Sequence, residues 1–199
     1  MNIVEFYFDL GSPYSYLGFY QLQKIAKENQ VEIIYKPMLL GAVFKSTNNL
    51  SPISVPAKAQ YSMIDMRRWS LLWDIPFRMN PNFPINTLSI MRLVTAVQLF
   101  APEHFHDVLT GLFNAMFRHP RNLNDVSELT AVLVELGLEA EQVKVWLDDE
   151  KVKNELKFFT EEALERGVFG APSFFVRDEL YWGIDHLHFV DMALKNNAL

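Results

Sequence analysis

The chain has 199 residues, of which 50% are hydrophobic, with 24 acidic and 18 basic side chains for a formal charge of −6, and it has no cysteine. That length and apolar content support one domain with a buried core, or one domain carrying an insertion. The acidic balance, without a basic tract, excludes a phosphate-neutralising nucleic-acid surface, and the missing thiols exclude structural disulfides, thiolate metal sites and redox chemistry on the protein's own sulfur.

Met1-Asn2-Ile3-Val4-Glu5 offers neither a basic start nor a long apolar run. The apolar runs, such as the one around Phe158, are too short to span a bilayer, so a cytoplasmic protein with no membrane partner is expected. Ile3 to Phe8 is apolar and rich in branched and aromatic residues, as in a strand buried on both faces. Gly11 then turns the chain, Ser12 stands where an N-cap belongs and Pro13 at the first helical position. Leu17, Gly18, Leu22, Ile25 and Ala26 follow at helical spacing, which predicts a helix to about Glu28. Val31 to Tyr35 is a second strand, completing a βαβ unit with a right-handed crossover.

From Pro56 to Gly167 amphipathic helical patterns replace strand-like runs. The spacing predicts helices over 57–73 and from Asn86 or Thr87 through Val97. A further helix runs from Pro102 to Arg118, and another from an Asn124 or Asp125 cap to Leu136, stopped by Gly137. The last two of this block cover 139–147 and 149–166. Strand signals return over 173–177 and 180–182, joined by a turn at Arg177-Asp178-Glu179, and a helix over 184–195 closes the chain. The predicted fold class is α/β, a β-α-β half and a β-β-α half flanking a large all-helical insertion.

Two features of the pattern bear on chemistry. Ser12 lies at a strand-to-helix turn, where free N–H groups and the helix dipole favour an anion, although the local pattern alone favours the plainer reading of Ser-Pro as a cap followed by a first-turn proline. Ala171-Pro172 stands at a strand entrance, where a cis bond would leave the preceding backbone free to pair with an extended ligand. The pairs His104/His106 and His186/His188 are spaced two apart and point to different sides of a helix, so no metal site is predicted. Tyr14, Tyr16, Trp69, Trp73 and Phe77 serve either an aromatic pocket or the core.

The segments F-Y-F-D-L-G-S-P-Y-S-Y (6–16), V-F-G-A-P-S-F-F-V (168–176) and W-G-I-D (182–185) together resemble the 2-hydroxychromene-2-carboxylate isomerases. These are relatives of the kappa-class glutathione transferases in the thioredoxin-like DsbA superfamily. P-A-K-A-Q-Y (56–61) and F-P-I-N-T-L (83–88) extend the likeness over the whole chain. The resemblance implies a discontinuous thioredoxin-like domain, 1–45 and 168–199, split by a helical domain, 46–167. It also implies a homodimer with glutathione as cofactor and a small aromatic carboxylate as substrate.

Residue by residue, Ser12-Pro13-Tyr14-Ser15 would stand where thioredoxin relatives carry Cys-x-x-Cys, with Ser12 as the catalytic contact to the glutathione sulfur. Asn49 and Lys58 would hold the polar ends of the tripeptide. Ala171, ahead of Pro172, would pair through its backbone with the cysteinyl unit. Trp182, Gly183, Ile184 and Asp185 would form the loop at the γ-glutamyl end, with Asp185 facing the ammonium. Tyr14, Lys45, Asn86 and Arg92 would approach the substrate. Ile184 stands where kappa relatives commonly have serine, and His186 where they usually have arginine. The implied activity interconverts 2-hydroxychromene-2-carboxylate, or an analogue, with trans-o-hydroxybenzylidenepyruvate. The competing readings are a kappa-type transferase or peroxidase and a non-catalytic glutathione-binding module.

Overall fold

The computed structural model describes residues 3–195, so Met1, Asn2 and the last four positions of the predicted C-terminal segment lie outside the described residues. Four strands form one sheet in the order β2-β1-β3-β4: β1 is Ile3–Phe8, β2 Glu32–Pro37, β3 Ser173–Val176 and β4 Glu179–Trp182. β1 pairs parallel with β2, Phe6 opposite Tyr35, and antiparallel with β3, Phe6 opposite Phe174; β3 and β4 form a hairpin with Ser173 opposite Trp182.

Period-two alternation along β1 sends Val4, Phe6 and Phe8 into the larger hydrophobic cluster and Tyr7 into a smaller one on the other face. α1 (Pro13–Asn29) packs on the first face, where Gly18 lets Phe174, Pro172 and Ile184 approach. On that face Phe6 stacks on Phe174 and Phe8, with centroids 5.3 and 5.0 Å apart, and Phe113 sits 5.1 Å from Phe19. Such pairs add about 0.5–1.5 kcal/mol each beyond the area they bury. Burial of β1 on both faces agrees with its mostly apolar sequence, which only Glu5 interrupts.

The helices between the two halves are α2 (Leu40–Ser46), α3 (Pro56–Trp73), α4 (Leu88–Phe100), α5 (Phe105–Phe117), α6 (Val126–Glu135), α7 (Ala140–Asp148) and α8 (Glu150–Glu165). α9 (Leu187–Lys195) closes the chain. Asp125 is the α6 cap, its carboxylate accepting from the N–H groups of Ser127 and Glu128, and Gly137 turns the chain at φ +73°. α8 crosses the second face of the sheet. There Glu162 accepts from the Tyr7 hydroxyl at 2.8 Å and from the Lys36 ammonium, while Arg166 pairs with Glu5 at 2.7 Å.

Three predicted elements differ in extent. Pro102 opens a separate 3-10 turn (102–104) before α5, and residues 184–186 form another before α9, so two predicted continuous helices are each broken at their start. β2 begins one residue later than expected and runs on through Pro37, which an edge strand tolerates. α2 has no counterpart in the sequence pattern, and the side chain of its N-cap residue, Leu39, makes no capping bond.

Candidate functional site

The turn from β1 into α1 is built by short-range hydrogen bonds. Ser12 has φ −91° and ψ 113°, the extended geometry of a cap, and its hydroxyl oxygen accepts from the Ser15 N–H at 3.1 Å. The same hydroxyl donates to the Ala171 carbonyl at 3.0 Å, tying the first turn of α1 to the segment entering β3. Pro13 has no N–H, and the Tyr16 N–H is held by the Ser12 carbonyl. Among the described residues, the Tyr14 N–H has no acceptor and is the uncommitted donor at the positive end of the α1 dipole.

Ala171 leads into a rim of contacts. The Ala171–Pro172 bond is cis, as is Phe83–Pro84. The Pro172 carbonyl accepts from the Gly183 N–H at 3.0 Å, which holds the 182–185 loop against the β3 entrance. Asn49 donates through its side-chain amide to the Phe169 carbonyl at 3.0 Å, and the Phe169 ring lies 4.8 Å from that of Trp182. The indole covers Gly170 so closely that a Cβ there would stand 2.5 Å from Trp182 Nε1. Ser12, Asn49, Phe169, Ala171, Pro172, Trp182 and Gly183 therefore form one connected constellation.

The whole described chain, residues 3–195, matches the family described as DSBA-like thioredoxin domain. The chain belongs to that family. Glutathione S-transferase kappa 2 of Caenorhabditis elegans is 32% identical over 184 residues, covering 89% of this chain and 82% of the relative. A 2-hydroxychromene-2-carboxylate isomerase of Pseudomonas putida is 30% identical over 195 residues, covering 96% and 94%. A solved 2-hydroxychromene-2-carboxylate isomerase superposes with a TM-score of 0.86 at 28% identity, covering 97% of this chain and 94% of that one. Within the DSBA-like family this chain groups with the chromene-carboxylate isomerases and kappa-class transferases.

The remaining predicted residues of this DSBA-like chain occupy distinct places. Lys58 is exposed in the first turn of α3, seven residues before Asp65 and hence on the same helix face. Asp65 accepts from the Tyr14 hydroxyl at 2.9 Å, so that face looks toward the start of α1, with Lys58 about 10 Å further along the axis. Burial first, then the bond to Asp65, pushes the Tyr14 phenol up and keeps it neutral. Asp185 is exposed, with a carboxylate oxygen over Gly183, whose φ is +88°.

The Ile184 side chain is buried against Gly18, which leaves only its backbone to face the loop. His186 sits with Nδ1 2.5 Å from the Trp182 carbonyl, four residues earlier in the chain. Asn86 accepts from the Leu88 N–H at the start of α4, Arg92 is half-buried in that helix, and Lys45 is exposed in the last turn of α2. No hydrogen bond or ion pair joins Lys45, Asn86 or Arg92 to Ser12 or Ala171 among the described residues. Of the aromatic candidates, Tyr16 is fully buried core, its hydroxyl bonded to the Pro76 carbonyl, while Trp69 and Trp73 pack on each other at 4.7 Å.

Sequence reasoning missed Asp9, which is 2% exposed beside this turn. Its signal was a carboxylate directly after the apolar run Phe6-Tyr7-Phe8 and before the Gly11-Ser12 turn. Among the described residues there is no group of three or more His, Cys, Asp or Glu side chains placed to hold a metal ion. Nor is any helix long and apolar enough to cross a membrane.

Proposed function

We propose that this chain is a glutathione-dependent isomerase that interconverts 2-hydroxychromene-2-carboxylate, or a close analogue, with its open-chain trans-o-hydroxybenzylidenepyruvate. The observation that carries this reading is the seat of Ser12: a hydroxyl at the N-terminus of α1, bonded to Ala171, in a chain without cysteine. Glutathione carries two carboxylates, an ammonium, a thiol and two peptide groups. The residues present complement that set: the Lys58 ammonium and the Asp185 carboxylate are exposed, the Tyr14 N–H is uncommitted, and the Ser12 hydroxyl is held, among the described residues, only by Ser15 and Ala171.

When bound, glutathione supplies a thiolate nucleophile that adds reversibly to a conjugated substrate and then leaves. Ser12 has a single hydroxyl proton, now directed at Ala171. Turning that proton to the sulfur frees the Ala171 carbonyl to accept from a ligand peptide N–H, so the number of hydrogen bonds is conserved. The Ser12 hydroxyl, the Tyr14 N–H and the α1 dipole together favour the ionised sulfur. Lys45, Asn86 and Arg92 supply two cations and an amide for the substrate carboxylate. A cytoplasmic homodimer is the assembly we infer for it.

Kappa-type transfer is the second reading, favoured by the 32% identity to the nematode kappa enzyme. A ring-opening assay with total glutathione followed in parallel separates the two. Isomerisation that requires glutathione and leaves its amount unchanged supports the first reading. Stoichiometric loss of glutathione into a conjugate supports the second, and conversion at the same rate without any thiol defeats both.

A further inference from the structure

Three helix N-termini meet at the buried side chain of Asp9. Its carboxylate accepts from the Gly11 N–H at 2.8 Å on the way into α1, from the Leu40 N–H at 2.9 Å in the first turn of α2, and from the Thr87 hydroxyl at 3.2 Å at the start of α4. Its main-chain carbonyl accepts from the Ser12 N–H at 3.0 Å. Neither Leu39 nor Thr87, the N-cap residues of α2 and α4, caps its own helix through its side chain. Thr87 also packs its methyl against Gly11, where an added Cβ would stand 2.8 Å away.

No lysine, arginine or histidine pairs with Asp9 among the described residues, and the groups that face it are two amides and one hydroxyl. Burial pushes its acid up, and the bonds from Gly11, Leu40 and Thr87 oppose that. A carboxyl without a cation at this depth is costly, and the two amides and one hydroxyl that donate to it offset that cost. What Asp9 adds is a link between the Ser12 turn and the starts of α2, which carries Lys45, and of α4, which carries Arg92 and follows Asn86.

We propose that Asp9 is a positioning residue of the candidate site: it fixes the Gly11–Ser12 turn and locks it to the first turns of α2 and α4, so that the Ser12 hydroxyl and Tyr14 N–H keep one fixed point at the start of α1. The thiol chemistry of that point rests on the glutathione reading above; the locking of the turn does not.

The test uses two variants that loosen the Asp9 junction. Thr87→Val deletes one donor, the hydroxyl, and keeps the shape and the carboxylate. Asp9→Asn keeps the size and one acceptor oxygen but puts an amide NH2, which cannot accept from the Gly11 or Leu40 N–H, in place of the other. Amide exchange at Ser12 and Ser15 is expected to accelerate about tenfold in each variant, with α5 amides unchanged. The thiolate fraction of bound glutathione at pH 7 is expected to fall about two- to fivefold from a half-ionised start, a rise of about 0.5–1 in the thiol pKa. Thr87→Ser restores both values.

A purely structural role lowers the melting temperature and moves neither readout. Unchanged exchange overturns the proposal, as does loosened exchange with an unmoved thiol in a protein that binds glutathione. If the wild type takes up no glutathione, the functional reading fails by itself, and the locking of the turn stands or falls on the exchange result.

Discussion

Replacing Ser12 by alanine removes one oxygen with two duties, and the structure sets the size of each. The oxygen caps the Ser15 N–H at 3.1 Å, and its proton reaches the Ala171 carbonyl at 3.0 Å. Losing the cap costs about 1 kcal/mol, and the carbonyl left unpaired costs about 1 kcal/mol more. At about 2–4 °C per kcal/mol for a chain of this length, the melting temperature should fall by about 4–8 °C. Removing a hydrogen bond to an ionised sulfur costs about 1.5–3 kcal/mol, so the pKa of bound glutathione should rise by about 1–2 units. The Tyr14 N–H and the α1 dipole remain, which limits the rise.

The assay is ultraviolet difference absorbance of bound thiolate against pH, on the wild type, Ser12→Ala and Ser15→Ala. Ser15 is fully buried with a hydroxyl that has no partner, and only its backbone N–H touches Ser12. Ser15→Ala should therefore leave the thiol where it is and cost little stability. A bound thiol unmoved by Ser12→Ala, or moved equally by Ser15→Ala, refutes the assignment of Ser12.

Gly170→Ala places a Cβ 2.5 Å from Trp182 Nε1; because the indole is 45% exposed it can swing outward, so the fold should lose only about 1 kcal/mol. Glutathione affinity should drop about tenfold as the Phe169–Trp182 stack opens, read by titration and by a red shift of tryptophan emission, and unchanged affinity with a displaced indole would remove Trp182 from the ligand contacts. Burial pushes the Tyr35 phenol up to about 12, so its neutral form stabilises the fold fully below about pH 10, the unfolded value, and that stability is lost as pH rises toward 12. Tyr35→Phe should flatten the loss of stability between pH 10 and 12 by about 2 kcal/mol, measured by denaturant unfolding at each pH, whereas an identical slope would mean that the phenol is solvated. Gly111→Ala brings a Cβ to 2.3 Å from Leu136 Cδ2, and overpacking of about 1–3 kcal/mol should outweigh the helix-propensity gain of about 1 kcal/mol; a raised melting temperature would show that Leu136 yields freely.

The elements with a strong local signature were legible. β1 declared itself by an apolar run, the start of α1 by Ser12-Pro13, and α6 by Asp125 with Gly137 beyond its end. α2 escaped because its seven residues are too few to show a period and its first N–H is capped by Asp9, 31 positions earlier in the chain. The breaks at 102–104 and 184–186 escaped because a 3-10 turn carries the same apolar spacing as the helix it precedes.

Of the site, Ser12 and Ala171 were marked by local pattern, and the tie between them closes a gap of 159 positions that only the fold can close. Asn49 and the 182–185 loop came from family resemblance, and the structure gives them partners in Phe169 and Pro172. Ile184 shows the converse: isoleucine in place of the relatives' serine leaves any ligand contact there to the backbone, and its apolar side chain follows its chemistry into the core.

The central claim is that this protein works with a thiol it binds and keeps ionised. Its most direct measurement is the pH titration of thiolate absorbance for glutathione on the unmodified chain. The account predicts saturable binding and a thiol that ionises near neutral pH, well below the ordinary value of about 8.5. Glutathione that binds but ionises at its ordinary pH, or that does not bind at all, contradicts it.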